Sequence, residues 1–546
     1  MPEIINPVLP GCHPDPSICR VGEDYWLVVS SFTYWPALPV FHSRNLVDWE
    51  PAGHVIDRPE QLSLAGLETS DGIWAPTIRH HEGVYYVVST VADGRFGAYN
   101  FVVTATDPRG PWSDPVDLGV TGIDPSLFFD ADGRCWFTGC RDSVSPHATG
   151  PGEIWMQELD LKTLQLTGPE HVLWHGAVKG AWVEAPHIYL RDGVYYLLAA
   201  EGGTERNHSV TAARSSSVTG PWVTDPRSPL LTHRHLSGDH DIQNVGHADL
   251  VDTPYGESWA FVLGVRPVDG THTLGRETFL VPVEWTDAGP VFAPELGQVR
   301  LDERAPRGSD VRERETHDVL DVPTLGTRDL PVGWSGLRGP LGTLLARVEA
   351  HESSPGDTGR SLALALSPES LSGRGTPAYI ARRQQHLFAE FRAEVTFEPM
   401  SSREEAGLAL FHAGHRWASL TLTLDSAGRR IVVATSEAGR GPQRGSSFTV
   451  GPGSVVLSIT ADTDAYEFSF LETPDVADRR VLARHARSDF SSETAGGFVG
   501  VHGGAYATST GDLTDSTAVF NWLEYHGRPP RDHVPGQASP ATNAQR

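Results

Sequence analysis

Between residue 13 and about residue 265 the chain repeats one pattern of apolar and polar positions. A short run carrying Asp-Pro or Ala-Pro leads to a turn rich in glycine and charge, and the turn leads to an aromatic, β-branched run. Asp15-Pro16-Ser17-Ile18 precedes Tyr25-Trp26-Leu27-Val28-Val29, and Ala75-Pro76-Thr77-Ile78 precedes Tyr85-Tyr86-Val87-Val88. Asp124-Pro125-Ser126-Leu127 and Ala185-Pro186-His187-Ile188 open the third and fourth copies, which close on Cys135-Trp136-Phe137 and Tyr195-Tyr196-Leu197-Leu198. A degenerate fifth copy, His247-Ala248-Asp249-Leu250, closes on Trp259-Ala260-Phe261-Val262. Turn residues between such runs are hairpin signals. A period near 50 to 60 residues with several strands in each unit predicts a five-bladed β-propeller, assigned to residues 1–310. No stretch of similar length has helical periodicity, which disfavours an α/β barrel.

Residues from about 300 to 325 are dense in charge and poor in large apolar groups, the composition of a linker. From 326 to 528 strict alternation resumes, as in Phe388-Ala389-Glu390-Phe391-Arg392-Ala393-Glu394-Val395 and Ser419-Leu420-Thr421-Leu422-Thr423-Leu424. Period-two runs with frequent turns predict a β-sandwich. The polar end, residues 529–546, is expected to be disordered. The expected fold is therefore all-β throughout, a propeller followed by a sandwich.

Charge narrows the partners. Against 43 Lys+Arg stand 69 Asp+Glu, a formal net charge of −26, so the field of the protein repels nucleic acid and anionic membrane surfaces. A neutral ligand fits better, and sugars are neutral. Fifteen Trp, thirteen Tyr and twenty Phe supply flat apolar faces that suit sugar rings, although core packing uses most of them. Cys12, Cys19, Cys135 and Cys140 have no metal-ligand spacing and read as buried free thiols. The N-terminus has neither a basic nor an apolar signal region, and no apolar run nears the roughly 18 residues of a membrane span. A soluble, cytoplasmic protein is expected; the oligomeric state stays open, a homo-oligomer included.

Candidate chemistry follows from the repeat. The innermost strand of each propeller blade lines the central channel, so equivalent repeat positions converge there. Asp15 and Asp124 share one register; Glu184 lies one position earlier, grouped with Trp74 and His247. Three carboxylates would thus face one pocket, and repulsion with partial burial would raise the pKa of at least one. That separates an acid from a base, as glycoside hydrolysis requires. Inversion needs the two carboxyl groups roughly 6.5 to 9.5 Å apart and retention roughly 5 to 5.5 Å.

These residues resemble glycoside hydrolase family 43. The resemblance rests on Asn6-Pro7-Val8-Leu9-Pro10-Gly11 into His13-Pro14-Asp15-Pro16, on Gly72-Ile73-Trp74-Ala75-Pro76, Asp124-Pro125-Ser126-Leu127 and Glu184-Ala185-Pro186-His187, and on Gly246-His247-Ala248-Asp249-Leu250 and Leu274-Gly275-Arg276-Glu277-Thr278. Ala381-Arg382-Arg383-Gln384-Gln385-His386 and Glu405-Ala406-Gly407-Leu408 resemble the sandwich appended to that family's β-xylosidases. The resemblance implies inversion, with Asp15 as general base, Glu184 as general acid and Asp124 orienting the acid and adjusting its pKa. It implies that Phe32, Trp74 and Arg276 bind the terminal sugar, with Arg276 pairing to Glu277 or another acid as the bland alternative. His247 would support the site or approach a central Ca2+; no cofactor is required. A loop at Gly503-Gly504-Ala505-Tyr506-Ala507-Thr508 would cap the pocket. Gly139-Cys140-Arg141-Asp142 stands where many such β-xylosidases carry a Trp, which bears on the leaving-group side. The expected activity is exo-acting release of terminal β-D-xylosyl or α-L-arabinofuranosyl units from neutral oligosaccharides. The rivals are an endo-acting arabinanase and a non-catalytic carbohydrate-binding propeller.

Overall fold

The computed structural model describes residues 3–94, 98–145, 148, 150–309, 316–319, 330, 333–349, 360–472 and 479–528. The expected tail, 529–546, and residues 310–315 and 320–325 of the expected linker lie outside them. Of the described residues, 55% are strand and 2% helical. Five antiparallel sheets of four strands each follow one another, their first strands being Ser17–Val21, Gly72–His81, Ile123–Phe129, Val183–Arg191 and Gln243–Asp252. Each of these strands turns back on the aromatic strand that the repeat anticipates. In the second and fourth sheets the turn is two residues long, with His81 paired to Val84 and Arg191 to Val194. Both central residues have positive φ (Glu82 49° and Gly83 82°; Asp192 50° and Gly193 77°). That conformation matches the strand twist of a tight hairpin, and Glu-Gly and Asp-Gly accommodate it.

The two ends of this domain are tied together. Glu3–Ile5 pairs with Asp302–Arg304, and Asn6 exchanges side-chain hydrogen bonds with the backbone of Leu280 in the fifth sheet, 2.9 Å each way. Asp302–Arg304 is thus part of the first domain rather than of a linker. The linker reading fails at its far end as well: Thr316–Val319 pairs with Thr517–Arg528 in the second domain. Short charged strands lack the apolar alternation that marks a strand in the sequence.

The second domain stacks an eight-stranded sheet on a six-stranded one. Phe388–Thr396 alternates half-buried and buried residues along its length, as its sequence requires, and sends Phe391, Ala393 and Val395 into a core with Leu408, Leu457, Phe468 and Phe520. The six-stranded sheet is buried on both faces along its inner strands, Glu405–Ala413, His502–Thr508 and most of Arg416–Asp425, while its edge strand Gly441–Thr449 is exposed. Ala409, Phe411, Trp417, Tyr379 and Tyr506 on its outer face form one apolar cluster with Cys12, Phe32 and Tyr34 of the first domain. The polar half of Ser419-Leu424 is therefore buried too, Ser419 and Thr421 being fully enclosed. The sandwich is fused to the sheet domain over the face that carries the candidate site.

Candidate active site

The site is built on a backbone defect repeated five times. On the first strands of sheets two to five the pairing register slips between Trp74 and Thr77, Ile123 and Ser126, Glu184 and His187, and Gly246 and Asp249. Within each slip, and at the equivalent point before the first sheet, a non-glycine residue takes positive φ: Asp15 56°, Ala75 25°, Asp124 53°, Ala185 52° and His247 53°. Four of the five precede proline, which cannot donate to the ladder and so favours a bulge. Left-handed backbone at such residues costs on the order of 1 kcal/mol each and persists where surrounding contacts enforce it. The bulge explains how Glu184, one position out of register with Asp15 and Asp124, reaches the same cavity: it interrupts the alternation that would turn neighbouring side chains to opposite faces. It also corrects the register of His247, which aligns with Asp15 and Asp124 rather than with Glu184 and Trp74.

All seven expected site residues, Asp15, Phe32, Trp74, Asp124, Glu184, His247 and Arg276, line one cavity of about 320 Å³. Their environments differ. Asp15 is buried, which by itself pushes its carboxyl up; the Arg276 guanidinium at 2.9 Å, the nearby His247 and a 2.5 Å hydrogen bond from Ser30 Oγ outweigh burial and hold it below the usual range. Burial raises Glu184 to about 7, assisted by the charge of Asp15. Asp124 is raised well above the usual range by burial and then by Glu184 and Asp15, against a single 3.1 Å hydrogen bond from the Ala185 N–H. The cavity thus holds one carboxylate stabilised as an anion beside a pair that retains a proton near neutrality.

Arg276 does not pair with Glu277, which is taken by Arg266 at 2.7 and 2.8 Å. The acid that Arg276 pairs with is Asp15; it also donates to Thr204 Oγ1 at 3.1 Å, while its buried Nε has no hydrogen-bond partner among the described residues. A buried guanidinium N–H without an acceptor at a cavity wall is suited to a ligand hydroxyl. Phe32 and Phe498 flank this guanidinium, with ring centroids 5.8 and 5.7 Å away. Phe32 itself has positive φ (52°) and exchanges backbone hydrogen bonds with Ile73. The approach needs glycine at position 72, where a Cβ would stand 2.2 Å from the Phe32 carbonyl oxygen.

Thr204, Glu205, His208 and Phe498 also line the cavity, and sequence reasoning did not single them out. Phe498 reaches it from the sandwich, meeting Trp74 edge to face at 5.9 Å while its N–H donates to Ser70 Oγ at 3.0 Å. The expected cap at 503–508 is corrected by this geometry: His502–Thr508 is a buried strand of the six-stranded sheet, paired on both sides. The segment just before it does the covering, and its signal was the Gly496-Gly497 pair. The sandwich also grips the loop leading to Asp15, since Arg383 Nε donates to the Cys12 carbonyl at 2.7 Å and Gln385 Nε2 to that of Pro10 at 3.2 Å. Arg141 is held away from the cavity, paired with Glu153 and Glu170 at 3.0 and 2.9 Å and stacked over Trp155. All four cysteines are buried and free.

Comparison with known proteins agrees with this geometry. The profile of glycosyl hydrolases family 43 matches residues 4–290, and that of the beta xylosidase C-terminal concanavalin A-like domain matches 327–526. A xylosidase/arabinosidase of Butyrivibrio fibrisolvens is 37% identical over 95% of this chain and 98% of its own. A non-reducing end alpha-L-arabinofuranosidase of Bacteroides ovatus is 35% identical over 95% and 94%. The crystal structure of xylan beta-1,4-xylosidase from Bacillus halodurans superposes with a TM-score of 0.86 at 31% identity, covering 96% of this chain and all (100%) of that one. With matching domains in the same order and relatives spanning nearly its whole length, the chain is a glycoside hydrolase and belongs to glycosyl hydrolases family 43.

Proposed function

We propose that this enzyme is an exo-acting, inverting hydrolase that removes terminal β-D-xylosyl and α-L-arabinofuranosyl units from short neutral oligosaccharides. The five sheets act as the blades of a closed propeller; the Ser17 to Asp249 hydrogen bond between the first and fifth, 2.7 Å, and the Asn6–Leu280 exchange support that closure. The observation that carries the mechanism is the opposite bias of carboxylates sharing one cavity, Asp15 held low and Glu184 raised to about 7.

In the reaction, Glu184 gives its proton to the glycosidic oxygen as the bond to the anomeric carbon breaks. Asp15 takes a proton from the water attacking the opposite ring face, and the charge developing on the sugar is spread in an oxocarbenium-like transition state. Asp124, whose carboxyl is pushed well above the usual range by burial and by Glu184 and Asp15, shares with Glu184 the proton that the acid role requires. Arg276 fixes Asp15 with one arm and offers its unpartnered Nε to a sugar hydroxyl. Proton exchange with solvent then returns Asp15 to its anion and Glu184 to its acid.

Exo action is supported by Phe498 and Trp74 closing the cavity edge to face, whereas an endo-acting arabinanase needs a groove open at both ends. A non-catalytic sugar-binding domain has no need of three carboxylates with divided charge. The relatives named for xylosidase and arabinofuranosidase activity support both sugars as substrates. The test is Glu184→Gln. Its loss should be about 10²- to 10³-fold on xylobiose, whose leaving group needs a proton, and far smaller on an aryl glycoside whose leaving group does not. Equal losses on both would remove Glu184 from the acid role. Turnover of nitrophenyl β-xyloside and α-arabinofuranoside side by side reports the preferred sugar.

A further inference from the structure

Two to four residues beyond the bulges lies a second layer of polar side chains, Ser17, Ser126, His187 and Asp249 at two and Arg79 and Tyr189 at four. Asp249, fully buried, accepts from Ser17 Oγ (2.7 Å), the Ile18 N–H (3.0 Å), Tyr189 Oη (2.7 Å) and both terminal nitrogens of Arg79 (2.8 and 3.0 Å). Arg79 also donates to His187 Nδ1 at 3.0 Å, and Ser126 Oγ lies 2.9 Å from the same nitrogen. An arginine cannot accept, so His187 is neutral with its proton on Nε2. All five sheets meet in this network: Ser17 from the first, Arg79 from the second, Ser126 from the third, His187 and Tyr189 from the fourth, Asp249 from the fifth. Ser17 and Ser126 stand two residues from Asp15 and Asp124, with only a proline between.

A central calcium ion does not fit these residues. Calcium takes six to eight oxygen ligands, carboxylates foremost. The carboxylates whose charge acts on His247 are Asp15 and Asp249, and each already holds an arginine, Arg276 and Arg79 respectively. No group of three His, Cys, Asp or Glu side chains among the described residues could hold a metal. We infer that Arg79 is the built-in cation of this channel: it takes the place of a metal ion, locks the five sheets at their axis, and serves as a positioning residue that sets Asp15 and Asp124 through Ser17 and Ser126.

Two measurements test this independently of which sugar is cleaved. In the purified, active protein, elemental analysis should find less than about 0.1 calcium or other divalent ion per chain, and neither chelator nor added calcium should move Tm by more than about 1 °C, because a bound ion would stabilise the native state. Arg79→Met should lower kcat about 10- to 100-fold with KM changed less than about twofold, since positioning acts on the transition state more than on ground-state binding. Arg79→Lys should recover part of kcat. Stoichiometric metal, a chelator-induced fall in Tm, or a folded Arg79→Met protein with unchanged kcat would each overturn the inference. If Arg79→Met does not fold, Ser126→Ala removes one tie without emptying the network, and it should lower kcat severalfold at unchanged KM; an unchanged kcat there would overturn the positioning role.

Discussion

Asp124 and Asp249 sit on equivalent strands of the same repeat, two positions apart in register, and both are buried, yet their fates are opposite. Asp124 has one backbone donor and two carboxylate neighbours, and its proton is held well above the usual range. Asp249 has four partners, among them an arginine on both oxygens, and its carboxyl is held well below that range against the push of burial. Burial costs both ions; donors decide which stays charged. The layer with too few donors is where chemistry is available, and the layer with a full set is where the sheets are fastened.

The sharpest break of this comparison is Asp15→Ala, in the upper layer. Turnover of every substrate should fall by about 10⁴-fold or more while the protein remains folded. Asp249→Asn, in the lower layer, should act first on stability. It strands the Arg79 charge and should cost about 3–5 kcal/mol, read as a lower denaturation midpoint. Asp124→Asn should reverse that pattern, losing about 10²-fold in kcat with no loss of stability, because an under-satisfied buried acid is removed.

Glu184 gives a pH-dependent version. Its native pKa of about 7 lies above its ordinary 4.5, so the stability it confers is complete below about pH 4.5 and is lost as pH rises through 7. Glu184→Gln should therefore raise stability at pH 8 by about 1 kcal/mol, less than the full shift implies because the side chain faces a wet cavity, and have little effect at pH 4. The alkaline limb of kcat/KM in the unaltered enzyme should fall near the same pH. The smallest expected catalytic effect is at the sandwich wall, where Phe498→Ala should raise KM about three- to tenfold with a smaller change in kcat.

The repeat made the five sheets and five of the cavity residues, Asp15, Trp74, Asp124, Glu184 and His247, legible, because Asp-Pro and Ala-Pro mark both the strand start and the bulge, whereas Phe32 and Arg276 lie outside it and came only with the family resemblance. The same signal misplaced His247, whose copy has Ala248 where the others have proline. The lower layer was invisible in advance: Ser17, Arg79 and Asp249 are ordinary polar residues in sequence, and their meaning comes from pairs as far apart as 232 positions. Phe498 was missed for a related reason, since a side chain contributed across a domain interface leaves no periodicity of its own. Asp302–Arg304 and Thr316–Val319 show the converse, charged segments drawn into sheets by partners elsewhere in the chain.

The central claim is that Asp15 and Glu184 act from opposite faces of the sugar. It is tested most directly by following fresh hydrolysis of a β-xyloside by proton NMR. The α-anomer of xylose should appear first, with the β-anomer growing only as mutarotation proceeds. If β-xylose appears first, one carboxylate is attacking the sugar itself, and the division of roles between Asp15 and Glu184 is wrong.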